Sequence, residues 1–358
     1  MATARRVYSM AAEVAQNAHE LPAISRKAAN IEALKPVYAL VSKDFQAVNA
    51  LIPSQLTSDV ALVEEIGSYI VESGGKRLRP LLVLLTAGAL SYEGTRQIRL
   101  AAIIEFLHTA TLLHDDVVDH SGMRRGRLTA NEKWGNAPSV LVGDFLYSRA
   151  FQLMVDVGSM DIMEVLSRAT NTIAEGEVMQ LANVGNLNID EAAYREVIRC
   201  KTALLFEAAT HTGALLAQAE NCSIKASTIE AMRAFGMHFG LTYQLVDDWL
   251  DYAGDAATMG KNAGDDLAEG KLTLPLIYAL QHAPARDQQI IREAISSQSA
   301  HSLPHILQIV EDCGALTYTH SCAIEQAQCA TRCLDQLPPS KYLDALRTLT
   351  EFSTSRLY

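Results

Sequence analysis

Apolar residues along this chain recur at three- and four-residue intervals, the spacing of helices that bury one face, and nowhere alternate over the length a strand needs. The pattern predicts helices near residues 36–50, 57–73, 77–91, 97–120, 138–157, 160–182, 190–219 and 224–253. Beyond a long loop it predicts shorter ones near 273–282, 286–299, 303–312, 315–336 and 340–355. Pro36, Pro80, Pro138 and Pro275 fall at predicted helix starts, where the missing N–H costs nothing. Two loops, 120–137 and 254–272, gather charge and glycine. No composition break and no short repeat divides the chain. The expected fold class is all-α, a single-domain helical bundle over residues 36–358. Residues 1–35 are expected to be a leader, disordered or an accessory helix.

The 358 residues, 49% of them hydrophobic, suffice for a sizeable core. A net charge of −11 argues against a nucleic-acid partner and exerts no long-range pull on an anionic substrate, so any phosphate site must be built locally. The six cysteines form no CxxC pair, which points to a reduced, cytoplasmic setting without a zinc site. No apolar run reaches the roughly 18 residues of a membrane span. The leader carries Arg5 and Arg6 but also Glu13 and Glu20, and lacks an apolar signal core.

Candidate chemistry starts at Asp115, Asp116 and Asp119, which close the apolar run from Leu100 to Leu113. Burying three unpaired carboxylates would cost several kcal/mol each, so they must be paired, metal-bound or at a cavity mouth. On a helix Asp115 and Asp119 share a face, with Asp116 about 100° round. Such an all-oxygen cluster suits Mg²⁺, which takes one or two carboxylates and leaves the rest to waters and substrate phosphates. A second set, Asp247, Asp248 and Asp251, repeats the spacing 132 residues on. One such triplet is commonly a solvated helix end. Two that face each other would hold several Mg²⁺ ions around one polyphosphate.

Cations surround these sets. Gly74-Gly75-Lys76-Arg77-Leu78-Arg79-Pro80 joins two predicted helices, where an anion would meet free backbone N–H groups as well as side-chain charge. Arg124, Arg125 and Arg127 lie within eight residues of Asp119 and read as a phosphate clamp. His108 is two turns before Asp115 on the same face, and Gln244 shares a face with Asp247 and Asp251. Lys201-Thr202 interrupts an apolar run, and a buried lysine needs a partner such as a diphosphate. Lys261 and Lys271 bracket a Gly/Asp loop that lacks the Walker frame, since Leu272 follows Lys271. Together these features describe a pocket that binds a diphosphate at a charged mouth and a hydrocarbon below it.

The motifs GGKRLRP, LLHDDVVD, MRRG, the Gly143-Asp144 pair, AEGE, KT, QLVDDWLD and GKNAGDDLAEGK together resemble those of the trans-prenyl diphosphate synthases, closest to the long-chain type that makes quinone side chains. The resemblance covers roughly Val48 to the C-terminus. It implies the isoprenoid synthase fold, a bundle around a deep central cavity, and a homodimer. It implies two to three Mg²⁺ ions held by Asp115, Asp116, Asp119, Asp247, Asp248 and Asp251. Arg124, Lys201, Thr202, Gln244, Lys261 and Lys271 would contact an allylic diphosphate, and Lys76, Arg79, His108 and Arg125 would hold isopentenyl diphosphate. Catalysis would fall to Asp115, Asp116, Asp119, Asp247, Asp248 and Lys201.

The hydrocarbon tail should run back along the helix of Asp115, past Ala110 and Thr111. Those side chains are small and let the tail pass toward a floor at Met154 and Leu166. Rival readings are a shorter-chain (C15–C20) synthase, a class I terpene cyclase, a di-iron bundle suggested by Glu105-Phe106-Leu107-His108, and a non-catalytic regulatory subunit. The intact second Asp set and the GGKRLRP turn argue against the cyclase. The absence of a second ExxH argues against di-iron.

Overall fold

The computed structural model describes residue 32 and residues 34–253 and 264–355, and these are almost wholly helical. Residues 34–40 are helical and lead into α1 (Ser42–Ser54), α2 (Ala61–Glu72), α3 (Leu78–Ala89) and α4 (Arg96–Val118). A two-residue hairpin follows, β1 (Met123–Arg124) antiparallel to β2 (Arg127–Leu128), with Arg124 opposite Arg127. Then come α5 (Ala130–Trp134), α6 (Asn136–Val157), α7 (Met160–Asn183) and α8 (Glu191–Ile198). A π-helical turn, Arg199–Ala203, joins α8 to α9 (Leu204–Glu220), and α10 (Ala226–Ala253) is the longest helix among the described residues. The last third holds α11 (Asp265–Ala268), α12 (Leu274–His282), α13 (Ala285–Ser297), α14 (Leu303–Asp312), α15 (Ala315–Leu334) and α16 (Lys341–Ser355).

Local chemistry explains many of the ends. Asp190 caps α8 by accepting from Ala193 N at 2.8 Å, and Ser159 caps α7 by accepting from Ile162 N at 3.4 Å. Pro80 and Pro138 occupy the third positions of α3 and α6, and Pro275 the second of α12. Left-handed Gly158 and Gly314 separate α6 from α7 and α14 from α15.

The bundle has two apolar cores. The larger is built from α1–α4, α6, α7, α9, the first half of α10 and α16. The smaller gathers α8, the second half of α10 and α12–α15. Leu34, Val37 and Val41 already belong to the larger core, which therefore includes a residue ahead of 36. α4 packs along α6, and α10 lies between α9 and α15. α10 serves both cores, and its Asp set lies in the half that packs into the smaller one. The approach of α10 to the π turn requires a glycine: a Cβ on Gly240 would lie 2.5 Å from Ala203 Cα. Among the described residues no helix is long and apolar enough to cross a membrane, and all six cysteines carry free thiols.

Candidate active site

The two Asp sets lie at the ends of α4 and α10 and are linked through the π turn. Asp115 and Asp119 lie on the last turn of α4 and its C-cap. Lys271, on the segment that follows α11, reaches across to Asp119 Oδ2 at 3.0 Å and also pairs with Glu269 Oε2 at 2.5 Å. Lys201 of the π turn pairs with Glu177 Oε2 at 2.6 Å and stands 3.8 Å from Asp115 Oδ2. Its neighbour Thr202 donates to Gln244 Oε1 at 2.8 Å, and Gln244 Nε2 donates to Asp248 Oδ1 at 2.6 Å. Tyr194 completes the coordination of Asp248 by donating to Oδ2 at 2.5 Å. The π turn thus points consecutive side chains at the first and second Asp sets, a use typical of such turns at functional sites.

Asp116 behaves differently from Asp115 and Asp119. It is fully buried, and its Oδ1 accepts from both Nη2 and Nε of Arg124, at 2.6 and 2.9 Å. Its Oδ2 is buried without a protein hydrogen-bond partner, as is Arg79 Nε. Burying the Asp116–Arg124 pair fixes the hairpin β1–β2 to the end of α4, so Asp116 holds the clamp loop in place.

Asp251 accepts from Asp266 N at 3.3 Å. Burial, reinforced by Asp266, pushes the carboxyls of Asp248 and Asp251 each up to about 8. Burial raises Asp115 too, against the pull of Lys201, and Glu177 rises to about 7 because its burial outweighs Lys201. For Lys271 burial acts downward, but Asp119 and Glu269 outweigh it and hold the ammonium above its ordinary range. The site therefore gathers more negative charge than its own cations balance. Among the described residues, however, no three His, Cys, Asp or Glu side chains converge as a complete metal cage. Crowded carboxylates and the orphaned Asp116 oxygen fit a hard cation that takes one or two protein oxygens and finds its other ligands on waters and a diphosphate.

The second cation patch forms where GGKRLRP meets MRRG. A Cβ on Gly75 (φ 138°) would lie 2.6 Å from an Arg125 guanidinium nitrogen, so only glycine admits that approach. Arg79 lies over the Phe206 ring, 4.1 Å from its centroid, and burial lowers its pKa to about 10 against the opposing effects of Tyr243, Glu105 and Asp247. His108 is held well below its ordinary range by burial and by Arg79, Arg125 and Arg124, so its imidazole is neutral. Arg77 takes left-handed backbone (φ 45°) and spends its guanidinium on Asn49, Val71 O and Glu105, 3.7 Å away. It braces the turn, while Lys76 carries exposed charge and Arg79 carries its charge in the interior. Lys76 lies 4.6 Å over the Phe352 ring, and its carbonyl accepts from the Tyr38 hydroxyl.

A cavity of about 140 Å³ opens beside the lysines and is lined by Lys201, Thr202, Gln244 and Lys271 with Asp248 and Asp266. Its far wall is apolar, with Val184, Ile189, Val197, Ile198 and Leu272. Four residues expected at an allylic diphosphate thus share one cavity. Lys261 lies outside the described residues. Ala110, Met154 and Leu166 are closed into the larger core, whereas Thr111 is half-buried and donates to His108 O at 2.8 Å. Sequence reasoning passed over Glu177, Gln180, Tyr194 and Asp266. The AEGE and GDDL stretches carried the signal for Glu177 and Asp266. Gln180 and Tyr194 lie on helices where nothing in the spacing distinguishes them from ordinary half-buried positions.

Residues 60–313 match the model of the family described as polyprenyl synthetase. The chain is similar to the octaprenyl diphosphate synthase of Escherichia coli, at 47% identity over 90% of this chain and 99% of the relative. It is also similar to an all-trans-nonaprenyl-diphosphate synthase of Rhodobacter capsulatus, at 45% identity over 91% and 99%. Among solved structures it resembles a polyprenyl synthase from Caulobacter crescentus, complexed with calcium and isoprenyl diphosphate. That likeness has a TM-score of 0.85 and 42% identity, over 90% of this chain and 97% of that one.

Proposed function

The chain belongs to the polyprenyl synthetase family, and from that premise we propose that it condenses isopentenyl diphosphate head-to-tail with an allylic diphosphate, extending it to an all-trans product of about eight isoprene units. The observation that carries this reading is the link between the two Asp sets through the π turn, Lys201 to Asp115 and Thr202 through Gln244 to Asp248, beside a separate patch of Lys76, Arg79, Arg125 and His108. One substrate diphosphate has a place at the lysines and the other at the arginines.

The residues divide the work. Lys201, Lys271 and Arg124 face the allylic diphosphate and meet the negative charge that grows on it as its C–O bond ionises. Thr202 and Gln244 orient that group through hydrogen bonds. Asp115, Asp116, Asp119, Asp247, Asp248 and Asp251 would supply oxygens to Mg²⁺, which when bound would neutralise charge on the leaving diphosphate. Arg79, Arg125, Lys76 and the neutral His108 hold isopentenyl diphosphate so that its double bond lies in line with the allylic cation. Bond formation leaves a tertiary cation that loses a proton, and the released diphosphate is the nearest base. The apolar helices behind Thr111 keep water from the cation and receive the growing chain.

A second copy of the chain is the proposed partner. Leu141, Phe151 and Val155 on α6, and Val178 and Leu181 on α7, are exposed side chains on two adjoining helices. Large apolar surfaces of this kind favour self-association. The deciding experiment is incubation of the purified protein with Mg²⁺, farnesyl diphosphate and isopentenyl diphosphate, with products read by mass. A ladder that ends near eight units is expected. Absence of elongation overturns the reading, and a stop at C15 or C20 transfers it to a shorter-chain synthase.

A further inference from the structure

Gln180 stands on α7 between the two lysines of the site. In the amide orientation that satisfies both of its polar groups, its side-chain oxygen accepts from Lys201 Nζ and from Lys271 Nζ, each at 3.3 Å. The two ammonium groups come from distant stretches of chain, the π turn and the segment after α11. Each is anchored on its other side, Lys201 by Glu177 and Lys271 by Asp119 and Glu269. Two like charges held so close repel one another, and a shared carbonyl dipole offsets that repulsion and fixes their separation. Gln180 also lines the cavity that holds Lys201, Thr202, Gln244 and Lys271.

We propose that Gln180 is a positioning residue for the allylic diphosphate, setting the spacing of Lys201 and Lys271 so that one diphosphate meets both. This rests on the functional reading above and assigns a residue outside its binding set. A neutral amide suits the task. A carboxylate at the same place would hold the lysines as firmly but would face the incoming anion with a negative charge.

The test is Gln180→Met, which keeps length and volume and removes the acceptor. The KM for the allylic diphosphate and the inhibition constant of inorganic pyrophosphate competing with it should rise together, by about tenfold, as expected for a lost charge-assisted hydrogen bond. The KM for isopentenyl diphosphate should stay within about twofold, and the melting temperature should hold. Should the methionine variant fail to fold, Gln180→Ser, too short to reach either lysine, gives the same measurement. An unchanged pyrophosphate constant in a folded variant overturns the role of Gln180 while wild-type elongation still stands. Equal rises for both substrates overturn it as well. If the wild type itself does not elongate, the functional reading falls and this inference falls with it.

Discussion

Thr111 lies four residues before Asp115, is half-buried, and spends its hydroxyl on the carbonyl of His108. A helical turn rises about 5.4 Å, close to one extended isoprene unit, so a ring at this position would block the path after one or two additions. Thr111→Phe should shorten the product ladder by several units while leaving the first condensation within about threefold. Mass analysis of the products is the check, and an unaltered ladder would move the tail path away from α4. The Asp sets and their cations stood out in the sequence because charge against an apolar background is conspicuous. Gln180 and Tyr194 did not, because a polar side chain on a half-buried helix face gives no sign of what it reaches in space.

The predicted helices match the observed ones closely between residues 61 and 355, since an amphipathic stripe several turns long is hard to mistake. The misses are short elements. The hairpin Met123–Leu128 has two residues in each strand, too few for alternation to show. The predicted helix 190–219 proved to carry the π turn, a one-residue irregularity that a periodic pattern averages away. That turn carries Lys201 and Thr202, so its fit against α10 controls the site. Gly240→Ala would press a methyl into Ala203, and overpacking of this kind costs about 1–3 kcal/mol. A lower melting temperature is expected. Because the strain falls on the turn itself, kcat should fall by more than the stability loss explains, as steady-state kinetics well below the melting point would show.

For the whole molecule, the raised carboxyls set a pH dependence. Asp248 and Asp251 titrate at about 8 when folded and at the ordinary aspartate value when unfolded. Between roughly pH 4 and pH 8 the folded chain therefore binds protons that the unfolded chain releases. Metal-free stability should fall as pH rises through that window and level off above it, as denaturant unfolding in EDTA would record. Added Mg²⁺ should flatten the profile by taking the place of those protons, and an unchanged slope would remove these two carboxylates from the metal site. Assembly is tested separately. Phe151→Asp puts a charge into the exposed apolar face of α6, and sedimentation should show the proposed dimer of the wild type replaced by a monomer.

The arginine patch is braced from outside the stretch that the family match spans, residues 60–313. Tyr38 grips the carbonyl of Lys76 from ahead of that stretch, and Phe352 lies under the Lys76 ammonium from beyond it. Residues more than 300 positions apart thus converge on the lysine of the arginine patch. A fragment trimmed to the matched segment would retain both acidic motifs yet lose the two aromatic supports of Lys76, the lysine proposed for isopentenyl diphosphate.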